Sequence, residues 1–264
     1  MSESQEPVEA SPMPEAAPAA PPEREMSVVE HLEELRWRII KAAAAVLVAA
    51  IAVFVFNGPI IEFLQRPLHP ETNLFGAGPR GVQLIFTSPT EYLMAVIKVA
   101  LMGGLYLALP VILYHVMAFI SPGLLPQERK WALPIVVGGF LFFTLGMVFS
   151  YYLLLPAGLQ FLVGFAPIEV RPMLSVGKYL GFAAGLVFAT GIAFLLPLFL
   201  LGASVAGVVT SYMLARYRRQ AFLTAFVLAA LITPSIDIFT QVMLAGALYL
   251  LFELSIFMIR LTGK

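Results

Sequence analysis

Carboxylates next to clusters of basic residues carry the clearest chemistry in this sequence. Glu34 stands four residues before Arg38, and Glu128 is the only acid in a loop that also holds Arg129 and Lys130. The carboxylate of Glu128 can accept a guanidinium through two charge-assisted hydrogen bonds. Local pairs are also possible, between Glu34 and Arg38 at i, i+4 and between Glu128 and its basic neighbours. The pattern alone leaves both interpretations open.

Catalytic and metal-binding signatures are missing from the sequence. It contains no phosphate-binding G-x-x-x-x-G-K-[ST] loop, no H-E-x-x-H and no G-x-S-x-G. The three histidines, His31, His69 and His115, are far apart, and there is no cysteine. Nothing here indicates hydrolysis or redox chemistry. We therefore predict that the chain is not an enzyme and that it has no metal site and no cofactor.

The elements that position these side chains must lie in a membrane. Of the 264 residues, 60% are hydrophobic and only 12% are charged, with a mean hydropathy of +0.89. An average soluble domain is roughly 45–50% apolar and about 25% charged. This composition excludes a soluble enzyme, a disordered protein and a nucleic-acid binder.

Residues 1–25 differ from the rest of the chain. They are rich in Pro, Ala and Glu, and six glutamates stand against one basic residue, Arg24. Such a segment buries too little apolar surface to fold, so we predict a disordered tail before a membrane domain at 26–264. A signal peptide needs a basic start, and organellar transit peptides are poor in acids. The tail therefore favours a bacterial or archaeal cytoplasmic membrane.

Six segments are candidates for membrane-spanning helices, at about 39–56, 92–119, 131–155, 179–201, 221–232 and 238–259. The fifth has an apolar stretch of about 12 residues, or roughly 18 Å against the roughly 30 Å of a bilayer core. Either the hairpin of the fifth and sixth helices is short, or the fifth helix extends into the polar residues 217–220. The sequence thus predicts an all-α integral membrane protein with six transmembrane helices, the fifth and sixth of them short.

Basic residues predict the orientation of these helices. Eleven of the sixteen Lys and Arg residues fall on the side that holds both termini. The positive-inside rule then places both termini in the cytoplasm. On that side, residues 27–41 have one apolar and one charged helical face, and Ser27 and Glu30 fit a capping box. We expect an amphipathic helix there that lies on the interface and leads into the first span.

Several of these segments together resemble the TatC family of the twin-arginine protein translocase. The resemblance rests on residues 31–36 (HLEELR), 110–122 (PVILYHVMAFISP), 128–130 (ERK), 231–241 (LITPSIDIFTQ) and 251–253 (LFE). It implies a cupped bundle of six helices with both ends cytoplasmic and no enzyme activity. It also implies binding of the twin-arginine signal peptides of folded proteins, and assembly with single-span TatA and TatB into a multimeric complex. Transport would be driven by the proton-motive force, in the lipid bilayer and without nucleic acid.

The resemblance assigns signal-peptide binding to Glu34, Arg36, Phe119 and Glu128. The two glutamates would hold the paired arginines, and Phe119 would pack against the apolar part of the signal. Arg36 would orient a glutamate or contact the signal, because like charges repel.

The resemblance also implies positions for assembly and partner contacts. Pro67 matches a position needed for assembly, and Asp237 and Gln241 match a polar site at the start of the sixth span. Many relatives carry Glu or Gln in the fourth span where this chain has Leu195, a position that would face the partner helices. Another polar residue, such as Gln241 or Thr190, would have to substitute for it.

Two other classes of protein remain as alternatives from the sequence. A six-helix carrier of small solutes or ions would need a polar pocket at the bilayer midplane, and no chain of carboxylates is visible there. A membrane-embedded enzyme would need a site unlike the known motifs.

Overall fold

The computed structural model describes residues 28–68, 82–121, 129–164, 173–233 and 237–261. Its helices are α1 (Val28–Val55), α2 (Asn57–Gln65), α3 (Glu91–Ile120), α4 (Ala132–Phe149), α5 (Leu155–Gly164), α6 (Val176–Ala193), α7 (Leu196–Val205), α8 (Ser211–Arg216), α9 (Arg218–Ile232) and α10 (Ile238–Leu261). Two three-residue strands, β1 (Gln83–Ile85) and β2 (Met173–Ser175), pair in parallel. The helical membrane fold is confirmed, and the strand pair is an addition to it that the sequence analysis did not predict.

Five helical stretches in the described ranges are long and apolar enough to cross a membrane. They are Val29–Val55, Glu91–Ile120, Ala132–Gly164, Val176–Val205 and Ile238–Leu261. The third combines α4, a π-helical turn at Ser150–Leu154 and α5, and the fourth combines α6 and α7.

Helix α9, the predicted fifth span, does not reach that length. It begins at Arg218 and has 15 residues, which is roughly 22 Å of helix. The helix therefore extends into the polar stretch and still remains short of a bilayer core. The prediction of a short sixth helix is wrong, because α10 has 24 residues. No proline interrupts the apolar sequence from Ile238 to Leu261, so nothing ends the helix early.

Helix α1 is also longer than predicted, at 28 continuous residues. No proline or glycine occurs between Val28 and Val55, and Ala42–Ala45 are strong helix formers. The charged segment after residue 27 is therefore continuous with the spanning helix, and the predicted amphipathic helix leads into the first span without a break. The predicted N-cap, Ser27, lies outside the described residues, as does the tail at 1–25.

The helix directions place Val28 and Leu261 at the same end of the bundle. α1 begins where α3 ends, because His31 stacks on Phe119. α10 begins beside α5, where a Cβ on Gly158 would lie 3.2 Å from Thr240, and it ends beside the start of α9. We call the end with Val28 and Leu261 the terminal end and the opposite end the distal end.

Buried tyrosines anchor the turn that follows α2. The last carbonyls of a helix have no partner within the helix. Tyr151 donates its hydroxyl to the Phe63 carbonyl at 2.6 Å, and Tyr179 donates to the Leu64 carbonyl at 2.5 Å. These two bonds fasten the end of α2 to the π-helical turn and to α6. They also fix the turn at Arg66–Leu68, in which Pro67 is buried.

Glu91 connects α3 to α6 at the distal end. Its carboxylate accepts hydrogen bonds from the Thr87 amide at 2.7 Å, the Thr87 hydroxyl at 2.5 Å and the Gly177 amide at 2.7 Å. The Ser175 hydroxyl is a further donor. A Cβ on Gly177 would lie 2.5 Å from the Glu91 side chain, so only glycine fits there. The four bonds hold the start of α3 and the start of α6 together and support the pairing of β1 with β2.

Candidate functional site

A cluster of charged and aromatic side chains joins α1 to α3 at the terminal end. The rings of His31 and Phe119 stack with centroids 4.2 Å apart and planes 14° from parallel. Glu34 lies one turn after His31 on α1, and Arg38 lies one turn further, so all three share a helical face. We call His31, Glu34, Arg38 and Phe119 the terminal site.

The two oxygens of the Glu34 carboxylate have different surroundings. Oε1 accepts a hydrogen bond from Arg38 Nε at 2.9 Å, and Arg38 Nη2 is a second donor to the same oxygen. Oε2 is buried and has no hydrogen-bond partner among the described residues. His31 Nδ1 lies 3.8 Å from Oε2, which is beyond hydrogen-bond distance. A ligand that brings an N–H donor to Oε2 would therefore satisfy a buried acceptor.

A second buried polar atom lies one turn deeper on α3. His115 stands four residues before Phe119, and its Nδ1 has no hydrogen-bond partner within the described part of the chain. Its ring meets Tyr114 edge-on at 5.5 Å. Buried polar atoms without partners are uncommon in folded proteins, and each needs an explanation.

The structure brings together only part of the predicted recognition residues. Glu34 and Phe119 are joined through His31, but Arg36 is exposed, two residues from Glu34 and so on a different face of α1. Glu128 lies outside the described residues. The predicted local pair between Glu34 and Arg38 is present. The sequence analysis missed His31, although its i, i+3 spacing from Glu34 was a usable signal.

The aspartate at the start of α10 has a capping role. Asp237 is fully buried, and its carboxylate accepts hydrogen bonds from the amide and the hydroxyl of Thr240, both at 2.6 Å. This is the geometry of an N-cap, which satisfies amides that the first helical turn leaves free. Gln241 is half-buried one turn further along. Asp237 thus fixes where α10 begins, directly after the short helix α9.

The remaining predicted contact positions, Pro67 and Leu195, are both buried. Leu195 is 6% exposed in the break between α6 and α7, and it packs with Leu109 and Phe143. Tyr106 packs against this cluster, and its hydroxyl oxygen lies 3.2 Å from that of Thr144.

An ion pair ties α9 to α10 at the terminal end. Arg218 Nε lies 2.8 Å from Glu253 Oε1, Arg218 Nη2 donates to Oε2 at 2.9 Å, and Tyr249 donates to Oε1 at 3.1 Å. The bidentate geometry fixes the orientation of both side chains. Within the described ranges, no three His, Asp or Glu side chains come together as a metal site would require.

The fold and these sites define a multi-pass helical membrane protein whose charged side chains lie mainly at helix ends. Residues 30–246 match the family described as Sec-independent protein translocase protein (TatC). The chain belongs to the TatC family. It is 40% identical to the TatC protein of Aquifex aeolicus over 244 residues, which are 90% of this chain and 97% of that protein.

Other relatives and a solved structure agree with this assignment. The TatC protein of Synechocystis is 38% identical over 92% of this chain and 92% of its own length. The chloroplast TATC of Arabidopsis thaliana is 37% identical over 92% of this chain and 69% of its own length. A crystal structure titled "Twin Arginine Translocase Receptor- TatC in DDM" has a TM-score of 0.74 and 40% identity, covering 87% of this chain and 99% of that one. The resemblance drawn from the sequence motifs is thereby confirmed.

Family membership settles the class of function. The chain is a component of the Sec-independent protein translocase, a transport family and not an enzyme family, as predicted. It is a multi-pass membrane protein. The family has both bacterial and chloroplast members.

Proposed function

We propose that this chain is the receptor and core scaffold of a twin-arginine translocase. It binds the twin-arginine signal peptides of folded proteins at the terminal site and assembles with TatA-type and TatB-type single-span proteins. The complex exports its cargo with the proton-motive force. The observation that carries the proposal is the buried Oε2 of Glu34, an acceptor without a hydrogen-bond partner among the described residues.

The chemistry of arginine fits this acceptor. A guanidinium has five N–H donors in a planar fork, whereas a lysine ammonium is a compact charge with no planar match to a carboxylate. A signal arginine that donates to Oε2 would stand beside the His31–Phe119 stack, because His31 Nδ1 lies 3.8 Å from the same oxygen. Glu128 and Arg36 remain proposed contacts for the second arginine and for the rest of the signal.

A binding experiment tests the receptor role. We expect Glu34→Gln to weaken binding of a fluorescent twin-arginine signal peptide to the purified protein by roughly tenfold or more, because one charge-assisted hydrogen bond is lost. Glu33→Gln is the matched control, since Glu33 is the neighbouring residue of α1 and is exposed. A peptide with two lysines in place of the arginines should bind weakly to all three proteins.

The experiment also separates the two glutamates. Glu128→Gln should weaken binding as well, and a double variant should bind no better than the weaker single variant. Equal affinities of the wild type, Glu34→Gln and Glu33→Gln for the twin-arginine peptide would overturn the assignment of the terminal site.

We also propose that the terminal end faces the bacterial or archaeal cytoplasm. The support is the charge distribution: nine Lys and Arg residues of the described ranges lie at or near the terminal end, and three lie towards the distal end. Cytoplasmic loops carry this excess of basic residues. The signal-binding side chains then lie where a newly made protein would present its signal.

Assembly with single-span partners is proposed at α9 and α10. Helix α9 exposes Leu223, Val227 and Leu231 at 60% or more. A helix of roughly 22 Å is shorter than the bilayer core, so the surrounding bilayer becomes thinner or the helix associates with another helix. A partner helix along this face would cover these side chains. Asp237 and Gln241 would define the distal end of that contact, and Pro67 and Leu195 remain proposed assembly positions whose buried side chains act through the helices they hold.

A further inference from the structure

A groove follows the seam between α3 and α6 from the distal end towards the middle of the bundle. Its distal part is a cleft of about 620 Å³ that includes Lys98 and Lys178 in its wall. Its inner part is a cavity of about 230 Å³ that includes Val99, Tyr106 and Phe188. Met102 lines both parts. We call the two parts together the seam groove.

The distal part of the seam groove carries an excess of positive charge. Lys98 and Lys178 are exposed, and neither forms an ion pair with a described residue. The acid in the same wall is Glu91, whose carboxylate is already held by four donors from Thr87, Ser175 and Gly177. Lys98 lies two turns inside α3, where an unpaired ammonium is costly unless it reaches a counter-ion or the interface.

The inner part of the seam groove is apolar. Its lining is aliphatic and aromatic except for hydroxyl groups such as those of Tyr106 and Thr144, which pair with each other. Along α3 it extends from Val99 to Tyr106, about 10 Å of helix. An acyl chain matches such an apolar lining, and its headgroup would then lie at the charged distal part of the groove.

We propose that the seam groove binds an anionic phospholipid of the distal leaflet. Its phosphate lies between Lys98 and Lys178, and one acyl chain runs along the seam past Met102 towards Tyr106. Basic pockets between transmembrane helices recognise lipid headgroups through this combination of charge and shape. The lipid supplies the counter-charge that the two lysines lack and fills an apolar cavity that α2, α3, α4 and α6 line together. This lipid site is separate from the terminal site and does not depend on signal binding.

A photo-crosslinking experiment tests the lipid site. The full-length protein is placed in phosphatidylcholine nanodiscs with a trace of phosphatidylglycerol that carries a diazirine in one acyl chain. We expect labelling of peptides that contain residues 99–106 and 184–188. The variant Lys98→Gln/Lys178→Gln should lower this labelling roughly thirtyfold, because each lysine near a membrane surface contributes to anionic-lipid binding.

Two matched variants and three competitors make the result decisive. Lys41→Gln/Lys130→Gln removes the same charge from the terminal end and should leave labelling in the seam groove unchanged, and Lys98→Arg/Lys178→Arg should retain it. Unlabelled phosphatidylglycerol should compete, whereas phosphatidylcholine and inorganic phosphate should not. The proposal is overturned if a phosphatidylcholine probe labels the same peptides equally, or if inorganic phosphate displaces the probe. It is also overturned if Lys98→Gln/Lys178→Gln is labelled as strongly as the wild type.

Discussion

At the residue scale, the His31–Phe119 stack is the contact on which the terminal site depends. It joins the first turn of α1 to the last turn of α3, and Glu34 follows one turn later on the same face as His31. Stacked aromatic pairs contribute about 0.5–1.5 kcal/mol beyond the area that they bury. We expect a double-mutant cycle of His31→Ala and Phe119→Ala to show a coupling of about 1 kcal/mol in the free energy of unfolding in mixed micelles.

His31→Phe separates packing from polarity in the same measurement. It keeps an aromatic ring on Phe119 and removes Nδ1, so the free energy of unfolding should stay near that of the wild type. If the cycle showed no coupling, or if His31→Phe destabilised the protein as much as His31→Ala, the stack would not hold the site together.

Sequence and structure agree best where chemistry is local. The pairing of Glu34 with Arg38 follows from their spacing on one helix, and both residues were predicted from it. The contact between His31 and Phe119 depends on how α1 and α3 lie against each other along their length. That register depends on contacts between residues 88 positions apart in the chain, such as His31 and Phe119. The hydrophobic pattern of either helix alone does not predict it. The burial of Leu195 against Leu109 and Phe143 was hidden for the same reason.

At the element scale, small residues set how closely the helices approach. A Cβ on Gly104 of α3 would lie 2.6 Å from the backbone of Ala50 on α1, a distance that real Cβ atoms do not adopt. Transmembrane helices associate through such contacts, because lipid chains offer no hydrophobic advantage to apolar side chains. Pro110 lies in the same helix without ending it, as neighbouring helices allow in a membrane.

We expect Gly104→Ala to separate α1 from α3 and to lower the free energy of unfolding by about 1–3 kcal/mol, the usual cost of overpacking. Gly185→Ala in α6 is the control, since a Cβ there meets no atom within 4 Å. It should be neutral or stabilising by up to about 1 kcal/mol, because alanine favours helix over glycine. Titration of both variants with a denaturing detergent measures the difference, and equal effects would contradict the close approach.

The ends of the helices depend on local helix-breaking residues and were predictable only in part. Helix α9 ends at Ile232, where Thr233 is extended, and the helix remains short as the sequence indicated. The expected short partner, α10, continues to Leu261 because no breaker interrupts it. The parallel pairing of β1 with β2 joins segments that are 90 residues apart, so three residues of each strand give too little pattern to find it.

At the scale of the whole molecule, the helix directions bring the described termini and most of the basic side chains to one end. This arrangement makes a simple test of orientation possible, because the chain has no cysteine and any introduced thiol is unique. Tyr212, in α8 at the terminal end, is 79% exposed, and Met173, in β2 at the distal end, is 59% exposed. Neither side chain belongs to the terminal site or to the Glu91 network.

We expect a membrane-impermeant maleimide added to intact bacterial cells to label Met173→Cys and not Tyr212→Cys. The positive-inside rule predicts this result, because Lys and Arg residues are retained in the cytoplasm and are concentrated next to α8 and near the start of α1. Detergent permeabilisation should then expose both thiols to the reagent equally, which shows that both side chains are accessible. The reverse pattern, with Tyr212→Cys labelled in intact cells, would place Glu34 and Phe119 outside the cytoplasm. Signal recognition at the terminal site would then be impossible for a protein that has not yet crossed the membrane.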